Sequence, residues 1–169
     1  MSRPRQNTPH RVSTNGREVG LSTIERVLFF KRADIFNQIA GRDLIDVARV
    51  AHQTEFPAGS TFIVQGDIGE CLYLIVEGTA SVNVRGVGEV ARLSQNDVIG
   101  EMAIISREPR SADCLALTNM VTLKIDHDDF WQLLGEKPSI AQGVIRVLSS
   151  RLSDTMKQIQ QRRKALGES

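Results

Sequence analysis

The stretch Gln65-Gly66-Asp67-Ile68-Gly69-Glu70-Cys71-Leu72-Tyr73-Leu74-Ile75-Val76-Glu77-Gly78 reads as turn, strand, turn. Its middle, Cys71 to Val76, is a short apolar run of β-favouring residues, bounded on both sides by glycine-bearing turn signals. Similar short runs lie on either side: Thr61 to Val64, Thr79 to Arg85, Glu89 to Leu93, Cys114 to Leu117 and Met120 to Ile125. In one of them Ala80, Val82 and Val84 alternate with Ser81, Asn83 and Arg85, the period of a strand. Pro57-Ala58-Gly59 and Gly86-Val87-Gly88 supply further turns. Short strands separated by turns about every 8–12 residues predict a sandwich, roll or barrel over residues 54–126.

Helical patterns flank this β region. Ser22 or Thr23 can cap a helix carrying Ile24, Val27 and Leu28 at three and four spacing. A second apolar set, Ile35, Phe36 and Ile39, precedes Gly41, and Asp43, Leu44, Val47, Ala48 and Ala51 predict another short amphipathic helix, closing a helical region over 21–53. On the far side Asp126 can cap a helix with Phe130, Trp131, Leu133 and Leu134, stopped by Gly135. Pro138 suits the first turn of the next helix. There Ile140, Val144, Val147, Leu148, Leu152, Met156 and Ile159 form one stripe, read as two helices or one helix bent near Ser149 to Asp154, within a carboxy-terminal region of 127–165. Residues 1–20 are polar and basic, with Pro4, Pro9, Asn15 and Gly16, and read as a tail or linker.

Composition narrows the function classes. The 169 residues hold 21 lysines and arginines against 20 acids, a net charge of +1. No global basic field points to nucleic acid or an anionic membrane. No apolar run approaches the roughly 20 residues of a membrane span, and the first residues lack a secretory signal pattern. Cys71 and Cys114 form no Cys-x-x-Cys pair, so reduced, buried thiols in a cytoplasmic setting are expected. His10, His52 and His127 lie far apart without His-x-His, which argues against a metal site. No nucleophile–base pairing is evident, and a non-enzyme is expected.

The stretch Val98-Ile99-Gly100-Glu101-Met102-Ala103-Ile104-Ile105-Ser106-Arg107-Glu108-Pro109-Arg110-Ser111-Ala112 carries the chemistry. Gly100 lets the backbone turn sharply and approach a ligand. Glu101 to Ile105 reads as one short helical turn, whose first amides lack intrahelical partners and suit an anion. Arg110, stiffened by Pro109, presents a fork that matches two phosphate oxygens at once. Glu101 would be repelled by a phosphate unless it faces hydroxyls. A phosphate beside a ribose hydroxyl satisfies all these groups together.

Gly100-Glu101-Met102-Ala103 with Pro109-Arg110-Ser111-Ala112 resembles the phosphate-binding cassette of cyclic nucleotide-binding domains, as found in the catabolite activator protein and protein kinase A regulatory subunits. Phe56-Pro57-Ala58-Gly59, Gln65-Gly66-Asp67 with Gly69-Glu70, and Leu72-Tyr73 through Glu77-Gly78 are similar to that family's glycine signature, in the same order and spacing. Asn96 stands where the family has a turn glycine, and Ile99 where it has an aromatic. Asparagine tolerates a left-handed backbone, so the turn is expected to survive. The resemblance implies a mainly β fold with flanking helices: an antiparallel β-roll, or double-stranded jelly roll, between an amino-terminal helical bundle and carboxy-terminal helices. It implies a ligand site of Gly100, Glu101, Met102, Ala103, Arg110, Ser111 and Ala112. Arg110 would hold the phosphate oxygens, Glu101 the ribose 2′-hydroxyl, and the Met102 and Ala103 amides the phosphate. Val64, Leu72, Leu74 and Val90 are candidates for the base pocket, and Met156 and Ile159 for a lid. Asp113 is expected to point to solvent.

The resemblance implies a sensor that binds a cyclic nucleotide, cAMP ahead of cGMP, needs no cofactor, and signals by moving its carboxy-terminal helices. The alternative is a roll that no longer binds, kept as a dimerisation or protein-contact module of a larger protein. Retention of both Glu101 and Arg110 favours the sensor. About 17 residues follow Leu152, too few for a DNA-reading helix-turn-helix, so direct DNA binding is not expected. The partner is expected to be an effector domain or a second copy.

Overall fold

A computed structural model describes residues 20–165; the expected tail otherwise lies outside the described residues. Helix α1 (Thr23–Arg32) begins at Ser22, whose side chain accepts from the Glu25 amide at 3.3 Å while Glu25 accepts from the Ser22 amide at 2.8 Å. This reciprocal pair fixes the helix start. The chain then makes a 3-10 turn, Asp34–Phe36, before α2 (Gly41–Val50). Arg26 ties the two helices together by donating to the carbonyl of Ala51 at 2.7 Å.

Eight strands follow: β1 (His52–Phe56), β2 (Thr61–Ile63), β3 (Cys71–Glu77), β4 (Ala80–Val84), β5 (Gly88–Leu93), β6 (Val98–Ile99), β7 (Asp113–Ala116) and β8 (Met120–Asp126). They form two antiparallel four-stranded sheets, ordered β1-β8-β3-β6 and β2-β7-β4-β5. The expected β-roll with flanking helices is the observed fold. β1 and β6 are additional to the sequence reading, and β1 begins at His52, before the expected change of period. Its sequence, His-Gln-Thr-Glu-Phe, is too polar to announce a strand, and β6 is only two residues long. The turn before β6 places Asn96 at φ 73°, the left-handed conformation expected of it.

Between β6 and β7 lies α3 (Glu101–Ser106), and after β8 come α4 (His127–Glu136) and α5 (Pro138–Ala165). The last is one continuous helix with no break at 149–154. α4 ends at Glu136, one residue beyond the expected stop at Gly135, and Asp126 stands at its start without a side-chain capping bond. The Asp126 carboxylate instead pairs with Lys124 at 2.6 Å.

Two apolar clusters hold the domain. The first joins the helices to one face of the β1-β8-β3-β6 sheet through Phe30, Phe36, Phe130, Leu72, Leu74 and Leu123. Phe36 makes edge-on ring contacts with Phe30 at 5.0 Å and Phe130 at 6.3 Å, a geometry that aromatic quadrupoles favour. Gly143 lets α5 press close here. A Cβ at that position would sit 2.7 Å from the Ile39 side chain. The second cluster lies between the sheets and contains Ile63, Cys71, Tyr73, Ile75, Cys114 and Ala116. Both cysteines are free and buried, as expected.

Candidate functional site

The β2–β3 loop positions the segment before β7 by backbone pairing. The Gly66 amide donates to the Arg110 carbonyl at 2.9 Å, and the Arg110 amide donates to the Asp67 carbonyl at 2.8 Å. Ile68 bridges Pro109 in the same way. Asp113 reinforces the arrangement. Its carboxylate accepts from the Gln65 amide at 2.6 Å and pairs with Arg85 at 3.4 Å. It does not stand free in solvent as the sequence suggested. The Gln65 amide, with Arg85 assisting, holds the Asp113 carboxyl below its ordinary pKa.

Arg110 is thereby carried into the second cluster, where its residue is only 9% exposed. Nη2 donates to the Cys71 carbonyl at 2.6 Å and lies 3.4 Å from its Sγ. Nη1 has no hydrogen-bond partner among the described residues. Leaving a buried cationic donor unmatched is expensive, on the order of 1–3 kcal/mol or more, so this atom marks a place for an acceptor. Gly100, at φ +87°, makes room for it. A Cβ there would lie 2.1 Å from Nη1, so only glycine permits the guanidinium to sit beside the start of α3.

These groups open on a cavity of about 290 Å³. Of the residues expected at the site, Gly100, Glu101, Met102, Arg110, Ser111 and Ala112 line it, together with Glu108, Pro109, Val98 and Ile99. Ala103 follows in α3. The opposite wall is apolar: Ile63, Val82, Ala91, Leu93 and Cys114. Burial pushes the Cys114 thiol up to about 11, against the pull of Arg110, and keeps it neutral.

The base-pocket candidates need correction. Leu72 and Leu74 point into the helical cluster, on the far face of β3 from the cavity. Val64 and Val90 are exposed and do not line it, while their neighbours Ile63 and Ala91 do. A one-residue slip exchanges the faces of a strand. Met156 and Ile159 are about half exposed on the distal half of α5 and do not line the cavity either. Among the described side chains of α5 the last buried one is Val147.

The site is wired to the carboxy-terminal helices. Trp131 of α4 donates from Nε1 to the Ile104 carbonyl of α3 at 2.8 Å. Arg107, at φ 52° just after α3, donates to His127 Nδ1 at 3.1 Å and pairs with Asp128. Neither link was signalled by spacing, because both depend on the α3–α4 approach.

The family model described as "Cyclic nucleotide-binding domain" matches residues 53–137, half of the chain, and the chain belongs to that family. It is 34% identical over 107 residues to the cAMP-dependent protein kinase regulatory subunit of Eremothecium gossypii, covering 63% of this chain and 23% of that protein. Among solved structures it is similar to the N-terminal domain of a transcriptional regulator from Streptomyces coelicolor A3(2). There the TM-score is 0.71 at 23% identity, over 77% of this chain and 93% of the other. It is also similar to the regulatory domain of Toxoplasma gondii PKA crystallised with cAMP, with TM-score 0.65 and 26% identity, over 78% and 50% of the two chains. The chain thus spans less than a quarter of the kinase subunit's length. No helix among the described residues is long and apolar enough to cross a membrane. No group of three or more metal-capable side chains occurs among them.

Proposed function

We propose that this domain binds a cyclic nucleotide, with cAMP preferred to cGMP, and acts as a sensor within a regulatory protein. The observation that carries the reading is Arg110: a guanidinium nine-tenths buried, with Nη1 unpartnered, on the wall of a cavity whose other side is apolar. Arg110 takes the phosphate oxygens, the amides of Met102 and Ala103 cap the phosphate, and Glu101 accepts from the ribose 2′-hydroxyl. Ser111 and Ala112 complete the sugar-phosphate end. The base lies along Ile63, Val82, Ala91, Leu93 and Cys114, a wall that offers contact area without a side-chain hydrogen-bonding pattern. The preference for cAMP is supported by the kinase relative, described as cAMP-dependent, and by the neighbour crystallised with cAMP.

Occupancy is signalled through α3 to α4 by Trp131 and Arg107, and from there to α5 and an effector. The long half-exposed end of α5 is available to that effector or to a second copy of the chain. Calorimetric titration with cAMP, cGMP and 5′-AMP tests the reading. Binding of cAMP at micromolar concentration, ahead of cGMP, is expected. No heat and no thermal shift at millimolar nucleotide would show a roll that serves only as a contact module.

A further inference from the structure

Glu108 lines the cavity and was not part of the site expected from sequence. The charged residues of the lining are Glu101, Glu108 and Arg110, so a single guanidinium shares the space with two carboxylates. Glu108 is exposed, and it forms no ion pair among the described residues. Its position is set by the backbone: its carbonyl accepts from the Gly69 amide at 3.4 Å, and the next residue, Pro109, bridges Ile68. The backbone thus fixes Glu108 among the residues that line the cavity, two positions along the chain from Arg110.

An acid at the rim of an anion site weakens binding in proportion to the charge of the anion. A phosphodiester carries one negative charge. A phosphomonoester, with its second ionisation near pH 6, carries about 1.5 to 2 at neutral pH. Polyphosphates carry more. Resting on the reading of Arg110 as the phosphate anchor, we propose that Glu108 is a charge filter. It biases the cavity towards monoanionic phosphodiesters and against phosphomonoesters and polyphosphates of the same nucleoside, in order of their charge. The ring phosphate is then selected by charge as well as by shape. Such a filter has a use wherever the open nucleotides are abundant, because they offer the same base and ribose.

The test is titration of the full chain and of Glu108→Gln with cAMP, 5′-AMP and metal-free ATP, at low salt and again at about 0.5 M salt. Glu136→Gln, at the end of α4 and outside the cavity lining, is the control. At low salt Glu108→Gln is expected to tighten 5′-AMP about fivefold, ATP about tenfold and cAMP about twofold, a graded series that follows ligand charge. The differences shrink in high salt, where the screening length falls to a few ångströms. Equal changes for cAMP and 5′-AMP, no change at all, or 5′-AMP that still fails to bind the variant at millimolar concentration would each overturn the filter while leaving cAMP binding intact. Absence of cAMP binding in every variant would instead overturn the function proposed above.

Discussion

The two faces of β3 are both apolar and have opposite fates. Leu72, Leu74 and Val76 enter the helical cluster, which large side chains fill and edge-on rings lock. Cys71, Tyr73 and Ile75 face the layer between the sheets, where Phe56 and Phe62 close round Tyr73 and the smaller Ala80, Cys114 and Ala116 lie beside Ile63, Ile99 and Met120. Bulky partners close the first face. On the second face the Arg110 guanidinium, bonded to the Cys71 carbonyl, and a cavity beside Ile63, Ile99 and Cys114 take up part of the layer. Hydrophobicity alone does not say which side of a strand carries function. The polar group and the cavity set among its partners do.

The difference can be broken from either side. Phe36→Ala removes the ring that joins Phe30 to Phe130 and should lower stability by about 3–5 kcal/mol, seen as a fall of roughly 10 °C in thermal denaturation. Affinity for cAMP should stay within about twofold at a temperature where the variant is folded. A large loss of affinity there would mean that the two faces are not independent.

Arg110→Ala acts on the other face. Affinity for cAMP should fall by roughly 100-fold, from the loss of charge-assisted hydrogen bonds, read by the same titration. The melting temperature without ligand should change little, because the substitution also removes a buried donor that lacks a partner. Unchanged affinity would put the phosphate elsewhere.

Much of this contrast was legible in the residues. Gly100, Glu101 and Arg110 were expected together because the signal for an anion site is local and chemical, and all three line one cavity; glycine turns fix the order of most strands. The facing of β3 was not legible, since a strand buried on both sides has no period-two signal to read. Val64 and Val90 failed for a related reason: β2 has three residues before its chain turns, and β5 is mostly exposed, so apolarity there does not report the inner face. The Trp131 and Arg107 links depend on the α3–α4 approach, which no spacing encodes.

Trp131→Phe probes the connection between the open face and the helices with a smaller effect. It keeps most of the ring and deletes the donor to the Ile104 carbonyl, a loss of about 1 kcal/mol. Faster hydrogen exchange in α3 and a roughly threefold weakening of cAMP binding are expected. Exchange that is unchanged in α3 would mean that packing alone, without the indole hydrogen bond, ties α3 to α4.

The smallest effect sharpens the same contrast through pH. Asp113 has its carboxyl pKa lowered, chiefly by the Gln65 amide and further by Arg85. A carboxyl whose folded pKa lies below its unfolded value of about 3.9 contributes stability at all higher pH, and loses it as pH falls from there through the folded pKa. The wild type should therefore lose stability more steeply below about pH 4 than Asp113→Asn, which can still accept from the Gln65 amide but carries no titrating charge. The site should feel this change, because Gln65 is followed by Gly66, whose amide holds the Arg110 carbonyl. Acid denaturation curves of the two proteins that run parallel below pH 4 would show that Asp113 fixes the β2–β3 loop by geometry alone, with no contribution from its charge.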